Sequence, residues 1–152
     1  LVRIGSIALL GSTARGYSHT TARSDVSLDV SQSLQSLARD LQQAKDVTVV
    51  QTYHLRIFFP QRNTDGSFTR SITDSVNTVD YFRANAAGAV SATGTFMVRR
   101  AANTTGRRLC TGVSRLEFES DSAGSVNVSM AAVGSYGARF EMIHRAIFMR
   151  NN

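Results

Sequence analysis

The chain has 152 residues, is 42% hydrophobic and 18% charged, and carries a formal net charge of +6, with Lys45 as the only lysine among its 17 basic residues. A chain of this length forms one domain with a sizeable core, and its apolar fraction excludes wholesale disorder, while the arginine excess is compatible with a polyanionic partner, nucleic acid or an anionic membrane surface. The single cysteine, Cys110, excludes an internal disulfide, and its neighbours Leu109 and Val113 mark it as a small buried hydrophobe.

Leu1 to Leu10 is apolar apart from Arg3 and Ser6, but much shorter than the roughly 20 residues of a membrane span. It reads as the last turns of a longer hydrophobic helix whose upstream half precedes Leu1. Gly11 and Gly16 each weaken a helix by about 1 kcal/mol relative to alanine, so residues 1–24 are expected to be a helix end and a flexible join. Ser24, with Asp25 in the first turn, offers an N-cap for a helix over about 25–46. Within it Val30, Leu34, Leu37, Leu41 and Ala44 recur at steps of 4, 3, 4 and 3. That spacing lays one apolar stripe along a helix that needs a surface to pack on.

From Val47 the apolar period changes to two. Val47, Val49, Tyr53, Leu55, Ile57 and Phe59 fall on one parity, and Thr48, Thr52, His54 and Arg56 on the other, which predicts one long half-buried strand with His54 toward solvent. Pro60 ends it, and Asp65-Gly66 predicts a turn before the chain returns through FTRSITD. Val76–Arg83 and Gly94–Arg100 read as further strands on either side of a small-residue loop. RRLCTGVSRLEFESD follows the loop AANTTG, with Val113, Leu116 and Phe118 as apolar anchors. Val126–Val133 alternates through Val126, Val128 and Met130, and Arg139–Arg150 reads as a closing strand. Strands over 47–150 after one long helix predict an α+β class, an N-terminal amphipathic α-helix packed on an antiparallel β-sheet, with 25–152 as a single globular domain.

The residues for catalysis are sparse. His19, His54 and His144 lack metal-ligand spacing, and no nucleophile elbow, P-loop or dinucleotide fingerprint occurs. Glu117 and Glu119 share a strand face and read as a charged outer surface. No catalytic residues, metal or cofactor are expected. Arg99, Arg100, Arg107 and Arg108 bracket a loop, and a hairpin there would gather their charges into the best polyanion patch of the chain.

Four phrases in this order resemble the minor pilins and pseudopilins of the type IV filament superfamily: LARDLQQA, TVDYFRAN with GTFMVRR, RRLCTGVSRLEFESD, and a final strand stopping in IFMRNN. They place the likeness on Leu37 to Leu41, Tyr81 with Met97 to Arg99, Gly112 to Phe118, and Met149 to Asn151, within residues 25–152. The front departs from it, since the family opens a hydrophobic helix on phenylalanine or methionine with glutamate at its fifth position, where this chain has Leu1 and Gly5. The resemblance implies a pilin-like fold and a structural subunit of a type IV pilus-like or type II secretion filament. Its partners would be other pilin or pseudopilin subunits and the inner membrane, reached through the missing upstream segment. It would face the bacterial periplasm or stand in an extracellular filament. Val30, Leu34, Leu37 and Leu41 would then join helix to sheet, and Leu1, Ile4, Ile7, Leu9 and Leu10 would meet membrane or filament core. The alternative is a filament subunit that captures DNA or another polyanion through the arginine loop.

Overall fold

Val30, Leu34, Leu37 and Leu41 are at most 1% exposed, and the stripe they form fixes how the rest of the chain is layered. They lie on helix α1, residues 24–43. The computed structural model describes residues 24–60, 63–67, 77–121 and 124–148. Leu1, Ile4, Ile7, Leu9 and Leu10, the join over residues 1–23, the return segment FTRSITD and the closing Met149 to Asn151 lie outside the described residues.

Among the described residues eight strands follow α1: β1 (Asp46–Gln51), β2 (His54–Phe58), β3 (Thr78–Ala84), β4 (Phe96–Ala101), β5 (Arg107–Thr111), β6 (Val113–Ser120), β7 (Ser125–Val133) and β8 (Arg139–Phe148). The first five form one antiparallel meander in sequence order and the last three a second. Among the described residues strands make up 49%, against a single α-helix of about 20 residues. This overturns the expected α+β, pilin-like class: the protein is mainly β. One segment that periodicity read as continuous contributes an extra strand. The long strand expected from Val47 to Phe59 is a hairpin, β1 and β2, turning at Thr52-Tyr53, and the segment from Arg107 to Ser120 breaks at Gly112 into strands of different sheets.

Parity nevertheless grouped the right side chains. In the β1–β2 hairpin Val47 lies opposite Ile57 and Val49 opposite Leu55, and directly opposed residues share a face. That face continues through Val79 and Tyr81 on β3 to Met97 and Cys110. The second sheet adds Val113, Leu116, Phe118, Val126, Val128, Met130 and Ala132, and all these residues join the α1 stripe in one core. The opposite face of the first sheet has a smaller apolar cluster of Phe82, Ala84 and Val98, flanked by Val90 and Phe96.

Gly112 is the pivot between the sheets. Its φ of +69° is a left-handed conformation, and a Cβ there would stand 2.1 Å from the Val133 carbonyl oxygen, a position only glycine can occupy. The Gly112 carbonyl accepts from Val133 N–H at 2.8 Å, and Val113 N–H donates to Thr95 O at 2.9 Å. Arg83 crosses the same junction, donating to Gly94 O and, at 3.2 Å, to Val113 O. At the other end of β6, Phe118 N–H donates to Thr52 O at 2.6 Å, tying the β1–β2 turn to the second sheet.

Candidate functional site

Between α1 and the β4–β5 end of the first sheet, a buried polar cluster joins helix to sheet. Asp40 lies one turn beyond Leu37, at the margin of the apolar stripe, and is 8% exposed. Its Oδ2 accepts from the Tyr81 hydroxyl at 2.6 Å and from Arg99 Nε at 2.8 Å, while Ser36 Oγ lies 3.1 Å from the same hydroxyl. Tyr81 is fully buried. Burial pushes its phenol well above the ordinary value, and the bond to Asp40 adds to the rise. The Arg99 guanidinium is raised by its bond to Asp40. Three elements, α1, β3 and β4, thus meet in a cluster whose donors and acceptors answer one another.

A cleft of about 390 Å³ opens beside this cluster, lined from the helix by Gln32, Gln35, Ser36 and Arg39 and from the sheet by Arg99 and Arg107. Arg99 and Arg107 are cross-strand partners, which carries them to the same face of the β4–β5 hairpin. Arg100 and Arg108 take the opposite face. Arg100 lies 4.9 Å over the Phe82 ring with a terminal nitrogen 3.5 Å from Asp80. Arg108 lies 4.0 Å over Phe96 and donates to Ala86 O at 2.6 Å. The hairpin expected to gather four arginines into one patch therefore divides them in pairs between two faces. The reason is the pleat: neighbouring residues on a strand point to opposite sides. Two of the four charges are further offset, Arg99 by Asp40 and Arg100 by Asp80.

The outer face of the first sheet holds the second polar cluster. Arg56, Asp80 and Arg100 form one cross-strand row, and His54, Phe82 and Val98 the next. Arg56 forks onto Asp80, with Nε 2.8 Å from Oδ1 and Nη2 3.2 Å from Oδ2. His54, expected toward solvent, is only 7% exposed and packs edge-on against Phe82 at 5.6 Å. The parity was right, but this face carries an apolar cluster of its own. His54 Nε2 lies 3.4 Å from Asp80 Oδ1, close enough for an ion pair when the ring is protonated but not aligned for a hydrogen bond. Burial raises the Asp80 carboxyl, yet the proximity of His54 and the Arg56 fork outweigh it and hold the group well below the usual carboxylate range. Of these two contacts only that of Arg56 has hydrogen-bond geometry.

Glu117 and Glu119 share an exposed face of β6, and Arg115 bridges Glu117 at 2.8 Å to Glu141 at 3.2 Å. With Thr52, Asn127 and Ser129 the two glutamates border a shallow cleft of about 290 Å³. Cys110 is 2% exposed, and burial, reinforced by the charge of Asp29, pushes its thiol up to about 11. Among the described residues no cluster of His, Cys, Asp and Glu is arranged to hold a metal ion, and no helix is long and apolar enough to cross a membrane. Asp40, Ser36 and the Gln32–Arg39 face were not singled out from sequence. The available signal was a carboxylate beside the apolar stripe, but its partners lie 41 and 59 positions away.

No family model, curated protein or solved structure matches this chain.

Proposed function

We propose that the protein is a non-enzymatic structural subunit of a type IV pilus-like or type II secretion filament, built in through the helix that precedes its sheets. The supporting observation is the seating of α1. Its apolar stripe is consumed by the core, and Asp40 fastens the helix to both β3 and β4. A subunit that hangs a β-rich body on an assembly helix needs such a rigid joint, because a load on the helix must pass to the sheets without unfolding the connection. Leu28, 55% exposed, lies on the same helix outside the buried stripe, as a residue that meets a neighbouring helix would. Neighbouring subunits are the partners in this reading, and the bacterial envelope facing the periplasm, or an extracellular filament, is the location.

Cysteine cross-linking tests the assignment. Leu28→Cys in the full reading frame, expressed in its native host and oxidised in intact cells, is expected to give a ladder of linked oligomers in the envelope fraction. The buried Cys110 leaves the parent protein as the unlinked control. A variant that folds and stays monomeric there would remove the filament assignment.

A further inference from the structure

The geometry points to the α1/β4–β5 cleft as a receptor for an acidic peptide segment, with Arg99 as its oriented anchor and Arg39 and Arg107 as its flanking cations. Among the described residues Arg99 gives Asp40 its Nε, which leaves the terminal N–H groups of its guanidinium as donors for a ligand. Its orientation is set from beneath, since Asp40 is held by the fully buried Tyr81, which Ser36 contacts in turn. A guanidinium fixed by packed neighbours before a ligand arrives loses little freedom on binding.

The walls complete the receptor. Gln32, Ser36 and Arg39 fall at helical spacing along one side of α1, beside the buried stripe, and Arg107 stands opposite on β5. Among the described residues no carboxylate pairs with Arg39 or Arg107, so three guanidinia share the cleft with the single carboxylate of Asp40. The cleft therefore has an excess of two positive charges and asks for an anionic occupant.

The lining selects among anions. Among the described residues no aromatic side chain lines the cleft, which leaves it without the stacking platform a nucleic acid strand uses. The charges are spaced around the walls, and the Asp40 carboxylate in the floor opposes a compact phosphate dianion more than it opposes separated carboxylates. Guanidinium forks match planar carboxylates in a bidentate manner. The Gln32 and Gln35 amides supply both donors and acceptors, as the peptide groups between acidic side chains require. This inference is independent of the filament assignment, because it is a property of the isolated protein in solution.

Calorimetric titration of the folded protein with three probes tests it: a capped glutamate-rich peptide, the same peptide with glutamine for each glutamate, and inorganic phosphate. The glutamate peptide is expected to bind, more weakly as salt rises, and to shift the NMR signal of the Arg99 Nε–H. Phosphate and the glutamine peptide are expected to leave that signal in place. The double variant Arg39→Gln, Arg107→Gln touches only exposed cations and is expected to keep the parent circular dichroism while binding the glutamate peptide about tenfold more weakly or worse. No binding of the glutamate peptide, equal binding by the double variant, or tighter binding of phosphate than of the peptide would each overturn the assignment.

Discussion

The Tyr81 hydroxyl is the atom on which the helix-to-sheet joint converges, touching Asp40 at 2.6 Å and Ser36 at 3.1 Å. Tyr81→Phe removes these contacts without opening a cavity and should lower stability by about 1–3 kcal/mol, the cost of a lost bond to a buried charged acceptor, measured as a shift of the urea midpoint at unchanged slope. Asp80 sets a dependence on pH. Its carboxyl is depressed in the folded protein, so its contribution is complete above its unfolded value of about 3.9 and is lost as pH falls below that. Melting temperatures of the parent and of Asp80→Asn are therefore expected to differ most near neutrality and to converge toward pH 2. A constant gap across that range would show that Asp80 contributes nothing through its ionisation. Cys110, raised to about 11 by burial first and then by Asp29, should resist alkylation in the native protein at pH 8 and react once urea unfolds it.

At the scale of elements, the connections govern the outcome more than the strands. The change from first sheet to second occurs at Gly112 alone, and a side chain there would strike the Val133 carbonyl. Gly112→Ala should cost about 1–3 kcal/mol or more, because the strained φ and the clash act at the same residue. Gly66, also at positive φ but with open space where a Cβ would stand, should show a smaller loss in the same melting experiment. The β1–β2 turn shows why the segment from Val47 to Phe59 was misread. Thr52 and Tyr53 have none of the Gly, Asn, Asp or Pro residues that mark hairpins, and neither adopts a positive φ. The hairpin is held instead by its registry with β3 and by the Phe118 bond to Thr52 O. β7 was legible because its alternation of Val126, Val128, Met130 and Ala132 maps directly onto one buried face.

Across the whole molecule, α1 and the inner faces of both sheets share one core. Helix loss, followed by far-ultraviolet circular dichroism, and the change in total tyrosine fluorescence as the core around Tyr81 opens should therefore coincide on one urea transition. Leu37→Ala should shift both together by about 2–5 kcal/mol, since Leu37 is fully buried and its removal leaves a cavity. Two separated transitions would mean that the helix is a detachable arm, and the rigid joint on which the filament proposal rests would be lost.

The amino-acid pattern alone determined the helix stripe, the alternation that selects inward side chains, the turn at Asp65-Gly66 and the burial of Cys110, because each depends on neighbours within a few positions. The tertiary structure decided the mainly β class, the second sheet and the two polar clusters. Asp40 meets Tyr81 and Arg99 across 41 and 59 residues, and no local period encodes such a meeting. It decided the fate of the arginines as well. Their closeness in sequence suggested one patch, but the pleat of β4 and β5 sent Arg99 and Arg107 to the helix side and Arg100 and Arg108 to the outer face. A strand separates neighbouring residues and brings together those the chain keeps apart.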